Sequence, residues 1–173
     1  DPGKYYLSVF GEPADKGDWG WRLEGHHISL NFTIKDGKVI SSTPEFFGAN
    51  PGTVDAGKGR QIRVLGPEED IARQVLKLCT PEQQKLCWIS KEAPGEVPGP
   101  NVTQAVVAEP VGLPYAKMSE DQKKLIQELL SEYLKNLPSE IEQERRAAIN
   151  AAGIDKLHFA WYGLSELHEA HHY

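Results

Sequence analysis

Apolar and polar residues change rhythm about a third of the way along the chain. Up to residue 65 they alternate with the period of two that strands require. Beyond it they recur at the three- and four-residue spacing of helices. Lys4-Tyr5-Tyr6-Leu7-Ser8-Val9-Phe10 is aromatic and β-branched and is stopped by Gly11-Glu12-Pro13, which predicts a strand. The run from Trp19 to Ile34 predicts a second, Lys35-Asp36-Gly37 is turn chemistry, and Lys38-Val39-Ile40 starts a return strand. The simplest assembly is an antiparallel meander of three strands. A Gly-rich loop and a short strand at Gln61–Leu65 complete this part.

Helical signals then take over. Pro67 followed by Glu68, Glu69 and Asp70 suits a helix start, because the fixed φ of proline and acidic charge both favour the positive end of the dipole. Ile71, Val75, Leu76 and Leu78 supply its apolar stripe. Thr80-Pro81-Glu82-Gln83 reads as a capping box for a second, short helix. Ser119-Glu120-Asp121-Gln122 opens the clearest helix, with Leu125, Ile126, Leu129, Leu130, Tyr133, Leu134 and Leu137 on one face, and Pro138 ends it. Ser139-Glu140-Ile141-Glu142 predicts one more box and helix, closed between Asn150 and Gly153. Between these helices, residues 91–118 form a proline-rich connector.

Leu157, Phe159 and Trp161 alternate within Ile154–Tyr162, which predicts a buried late strand. The fold class expected is therefore α+β: an antiparallel β meander packed with several α-helices, with the late strand returning to the sheet. Residues 1–65 are mainly β, 66–153 mainly helical, and 154–173 are strand and tail. With 173 residues the chain fits a single domain or a fragment of a larger one. It opens at Asp1-Pro2 without an initiator Met, which reads as a mature form or a fragment.

Composition removes several function classes. Apolar residues make up 39% and charged residues 25%, so the chain is globular in type. A net charge of -6 argues against nucleic acid as a partner, since such proteins present a basic face. No apolar run is long enough for a membrane span. Cys79 and Cys87 are too few for a disulfide framework, and read either as a pair in an oxidising compartment or as two buried thiols. The sequons Asn31-Phe32-Thr33 and Asn101-Val102-Thr103 are tripeptides that occur often by chance.

Two short patterns invite chemical readings. Gly52 to Lys58 matches G-x-x-x-x-G-K, but Gly59 stands where a phosphate loop needs Ser or Thr, and a strand follows instead of a helix. A turn-rich connection fits it better. In Glu24–Ile34, strand alternation puts Ile28, Leu30, Phe32 and Ile34 on one side and His27, Ser29, Asn31 and Thr33 on the other. An exposed face usually recruits Lys, Glu and Arg, so this uncharged polar row suits the lining of a pocket. His27, with Ser29 and Asn31, is the candidate catalytic group, acting as a general base.

Trp21-Arg22, then Glu24-Gly25-His26-His27, then Ser29-Leu30-Asn31-Phe32-Thr33 resembles the uncharacterised, mostly bacterial domain-of-unknown-function family numbered 3500. Tyr5-Tyr6, Val9-Phe10-Gly11, Thr43-Pro44-Glu45-Phe46-Phe47-Gly48-Ala49-Asn50-Pro51 and Phe159-Ala160-Trp161 extend the resemblance along the chain. It carries no activity. It implies an exported protein, periplasmic or secreted, of which this chain is the middle portion, so that flanking segments of the same protein are candidate partners.

His168-Glu169-Ala170-His171-His172 spells H-E-x-x-H, the pattern that puts two zinc ligands one helical turn apart. Gly163 is a poor approach to a helix, and the resemblance makes Leu164–Ala170 a loop that leads into a strand at His172. A different metal site is expected instead. If the late strand lies beside the meander, His27, His172 and His171 converge, and with a carboxylate they suit zinc, iron or copper. The function expected is that of an exported, metal-dependent or His-assisted enzyme acting on a small molecule. The alternative is a non-catalytic binding or structural module with no metal.

Overall fold

The computed structural model describes residues 2–95 and 109–173, so the sequon at Asn101 and the middle of the proline-rich connector lie outside the described residues. The fold is α+β. The chain divides into two compact units, Asp1–Gly66 and Pro67–Tyr173, at the point where the hydrophobic rhythm changes.

The first unit is a β meander. Strands β1 (Tyr5–Phe10), β2 (Asp18–Gly25) and β3 (Ile28–Lys35) run antiparallel in chain order. The other edge of β3 is shared, with β4 (Lys38–Ser41) pairing at Thr33–Lys35 and β5 (Glu45–Phe47) at Ile28–Leu30. Asn31 sits between those pairings. Its amide donates to the Pro44 carbonyl at 2.9 Å and to Ser29 Oγ at 3.0 Å, so the side chain bridges the stretch where the chain leaves β4 and returns as β5. Asp36 and Gly37 form the expected two-residue turn, both at positive φ, as a primed hairpin turn requires.

The expected strand from Trp19 to Ile34 is in fact two strands. Gly25 pairs with Ile28, which leaves His26-His27 as the turn of a hairpin. Gly25 permits it: a Cβ there would lie 2.4 Å from Cδ1 of Tyr5. The turn carries no Asn or Gly, the residues that usually announce a two-residue loop. Beyond it the expected alternation holds, with Phe32 and Ile34 buried and Trp21 stacked on Phe32 at 4.4 Å. The Gly-rich segment is also a hairpin, β6 (Thr53–Asp55) to β7 (Gln61–Arg63), with Gly57, Lys58 and Gly59 at positive φ. It runs from strand to strand and so lacks the helix N-terminus a phosphate loop uses.

The second unit holds the helices. α1 (Gly66–Lys77) and α2 (Pro81–Cys87) lead into β8 (Trp88–Ser90). β9 (Leu113–Pro114) precedes α3 (Glu120–Leu134) and α4 (Ser139–Ala152). Both capping boxes, Thr80/Gln83 and Ser119/Gln122, form as the sequence requires. Their glutamines also clasp each other. Gln122 Nε2 donates to Gln83 Oε1 at 3.0 Å, and Gln83 Nε2 donates to Gln122 Oε1 at 3.2 Å, so the starts of α2 and α3 are joined inside the core. The box expected at Ser139 does not form. Pro138 occupies the N-cap position, which makes Ser139 the first helical residue instead of the cap.

The late strand is broken at Ala160 into β10 (His158–Phe159) and β11 (Trp161–Gly163). β10 pairs with β9. β11 lies parallel to β8 and antiparallel to β12 (His171–His172), so the sheet it joins is one of the second unit's own. The core gathers Val75, Leu76, Cys87, Leu113, Ile126 and Trp161, among others. Among the described residues, no helix is long and apolar enough to cross a membrane.

Candidate functional site

Helical spacing on α3 brings Ile126, Leu129, Leu130 and Tyr133 to one wall of a cleft of about 290 Å³. Leu157, His158, Phe159 and Ala160 form the other wall, and Met118 and Tyr173 complete the lining. The lining is apolar except at three side chains. Tyr133 donates to the Tyr173 hydroxyl at 3.0 Å, which leaves the Tyr173 proton free for another acceptor. His158 Nδ1 lies 3.0 Å from the Lys156 carbonyl. A carbonyl only accepts, so in the neutral ring Nδ1 carries the hydrogen and Nε2 keeps its lone pair.

Burial, then the bond with Tyr133 and the nearby carboxylates of Glu68 and Glu69, pushes the Tyr173 hydroxyl well above its ordinary range. Burial and Glu68 raise Tyr133 as well, while its bond to Tyr173 works in the opposite direction. Both phenols therefore stay protonated at neutral pH and act as hydrogen-bonding groups, not as bases.

The Tyr173 ring belongs also to an aromatic layer across β11 and β12. Trp161, fully buried, stacks on His171 at 4.9 Å with the planes 4° apart, and Tyr173 lies 6.0 Å from the Trp161 ring. His171 Nδ1 is 2.8 Å from the Glu169 carbonyl, and Nε2 lies 3.7 Å from Glu69 Oε1. The same Glu69 oxygen receives a hydrogen bond from Arg73, whose guanidinium is buried, donates to the Ser165 and Glu166 carbonyls, and lies 5.6 Å from the Trp161 ring centre. Arg73 thus ties the loop between β11 and β12 to α1, and that loop places His171 and Tyr173. Trp161 Nε1 is buried and has no hydrogen-bond partner among the described residues.

The residues singled out from sequence are distributed differently. Ser29 and Asn31 share one face of β3 as expected, and the Asn31 amide is committed to Ser29 and Pro44. His27 stands in the hairpin turn, where its carbonyl accepts from Gly48 N at 2.8 Å and its ring meets His26 edge-on at 3.9 Å. Burial, followed by the charges of His27 and Lys4 among others, lowers the pKa of His26. His171 and His172 belong to the second unit. Successive strand residues face opposite ways, and here His171 stacks on Trp161 while His172 meets Tyr162 edge-on. Neighbours so directed do not chelate one ion together. Among the described residues, no group of three or more His, Cys, Asp or Glu side chains is arranged to hold a metal ion.

The H-E-x-x-H match is accidental. His168 sits in a turn at φ 70°, and the loop is closed by Leu164 N donating to the Ala170 carbonyl at 3.1 Å. Gly163 makes that closure possible, because a Cβ there would come 2.2 Å from the Ala170 oxygen. The histidine that does line a cleft, His158, is the one outside both sequence clusters. Its signal was its place opposite Leu157, Phe159 and Trp161 in the alternating run.

No curated protein and no solved structure matches the chain. The family resemblance carried by the Trp21–Thr33 stretch holds over nearly the whole length. Residues 2–173 match the model described as "Protein of unknown function (DUF3500)", and the chain belongs to that family.

Proposed function

We propose that the second unit binds a small, largely apolar molecule in the cleft between α3 and β10, held by hydrogen bonds to Tyr173 and His158. The observation that carries this reading is the cleft itself: a half-enclosed, mostly apolar hollow whose lining includes Tyr133, Tyr173 and His158, the usual composition of a small-molecule site. Its volume, at the lower end for such sites, suits a one- or two-ring compound better than a peptide. Tyr173 offers a donor and His158 Nε2 an acceptor, so a ring bearing a hydroxyl fits both.

Of the two functions expected from sequence, this geometry favours the binding module. Among the described residues, the lining holds no Ser, Cys, Lys or acidic side chain to act as a nucleophile or as a metal ligand beside His158. An extracytoplasmic setting is part of the proposal and rests on the family resemblance alone.

The test is a panel of phenols and other hydroxylated one- and two-ring compounds, followed by thermal shift and titration calorimetry on the full chain. Leu130→Trp fills the cleft from its half-buried wall. The expected result is compounds that stabilise the wild type and not the filled variant, with Tyr173→Phe weakening them about two- to tenfold, the worth of one hydrogen bond. Compounds that bind wild type and Leu130→Trp equally would overturn it, as would a panel with no binder.

A further inference from the structure

The turn after α1 and the last residue of α2 bring two sulfurs together. Cys79 and Cys87 are both free thiols, their Sγ atoms are 3.7 Å apart, and both are buried, Cys87 completely. Cys79 lies in the turn between α1 and α2, and Cys87 closes α2. A short connection built around the Thr80 cap holds them there. Gln122 Nε2 reaches Cys79 Sγ at 3.4 Å while also holding Gln83, so the position of Cys79 is tied to the clasp between α2 and α3. Hydrogen bonding between the thiols holds Cys87 below its ordinary range, and together with burial it pushes Cys79 above its own. Cys87 is therefore the sulfur that ionises first.

We propose that Cys79 and Cys87 form a disulfide, a covalent staple between the ends of α1 and α2. Bond formation needs the sulfurs to close from 3.7 Å to about 2.0 Å, a change on the scale of side-chain rotation at the two cysteines. The chemistry is thiol–disulfide exchange with a small disulfide such as oxidised glutathione. The Cys87 thiolate attacks one glutathione sulfur, the glutathione S–S bond breaks, and one glutathione leaves as thiolate. Cys79 then loses its proton and attacks the Cys87 sulfur, breaking the mixed bond and releasing the second glutathione. Two protein thiols are oxidised, one glutathione disulfide is reduced, and the two protons end on the two glutathione thiols. Because both sulfurs are buried, the first attack waits for local opening of the α1–α2 turn.

The experiment equilibrates the full chain in a series of glutathione redox buffers, starting separately from reduced and from oxidised protein. Free thiols are counted in denaturant, and intact mass and size are read on the same samples. The expected result is convergence from both sides. At the poise of an oxidising compartment the chain carries no intermolecular disulfide, no free thiol and no glutathione, and has lost two hydrogens. The oxidised form should melt about 5 °C above the reduced form, as a short closed loop predicts for a chain of this size. Cys87→Ala should abolish that redox-dependent difference. Two free thiols at equilibrium under oxidising conditions would overturn the proposal. So would stable glutathione adducts, disulfide-linked dimers, or an oxidised form that melts lower. If Cys87→Ala does not fold, the thiol count and melting of the wild type decide alone.

Discussion

The two units bury their hydrophobic residues very differently. The second wraps α1, α3 and its short strands around fully buried Trp161, Leu113 and Val75. In the first, the described hydrophobic side chains that are buried are Phe32 and Ile34, while Leu7 is 68% exposed and Val9, Phe10 and Tyr6 each more than half. Backbone pairing and turns hold the first unit, and packing holds the second. The difference bears on function. A packed unit can keep a cleft open and place Tyr133, Tyr173 and His158 around it, whereas the meander spends its polar groups on its own connections, as Asn31 does.

The largest test of that contrast is Trp161→Ala. Removing a fully buried indole should cost about 3–5 kcal/mol in chemical denaturation and unmake the layer that supports His171 and Tyr173. A cost below about 1 kcal/mol, the scale of a typical substitution, would break the contrast at its centre.

Arg73→Met should come next. It keeps much of the aliphatic stem but strips the Ser165 and Glu166 carbonyls and Glu69 of their donor, at about 2–3 kcal/mol. The Glu69 side chain is 22% exposed, which holds the figure below that of a fully buried pair. Hydrogen exchange in the β11–β12 loop should rise along with the loss, and an unchanged loop would remove Arg73 from its tying role.

A smaller effect appears only in alkali. Both phenols of the Tyr133–Tyr173 pair have folded-state pKa values above their unfolded ones. Their contribution is complete below the unfolded value of about 10 and is lost as pH rises beyond it, where the unfolded chain gives up protons the folded chain retains. Melting temperature should therefore fall between about pH 9 and 11, and less steeply in Tyr173→Phe. Equal slopes would mean that the pair does not couple to folding.

The smallest effect is expected on the meander. Leu7→Ala, at a largely exposed edge position, should change stability by less than about 0.5 kcal/mol. A loss as large as that of a core residue would show that this face is covered in solution.

What could be read from sequence was local. The cap at Thr80, the cap at Ser119, the Asp36-Gly37 turn and the apolar face of α3 each depend on residues within a few positions, and each formed as expected. The rest depended on partners far along the chain. His26-His27 became a turn because Gly25 passes under Tyr5, and a strand pattern spanning both halves of a hairpin hides that bend. The late strand carried no mark of its partners, since burial makes a strand apolar whichever sheet receives it. Clustering drew attention to five histidines, yet the one in the cleft stands alone in sequence, because a cleft is assembled from α3, β10 and Tyr173 across long separations.

Methyl, aromatic and backbone-amide NMR of the full chain, titrated with a hydroxylated aromatic compound that raises its melting temperature, is the most direct test of the cleft. Saturable shifts are expected at Met118, Ile126, Leu129, Leu130 and Tyr173, lost in Leu130→Trp, with the signals of His27, Ser29 and Asn31 unmoved. Shifts concentrated on the polar face of β3, with the cleft silent, would contradict it.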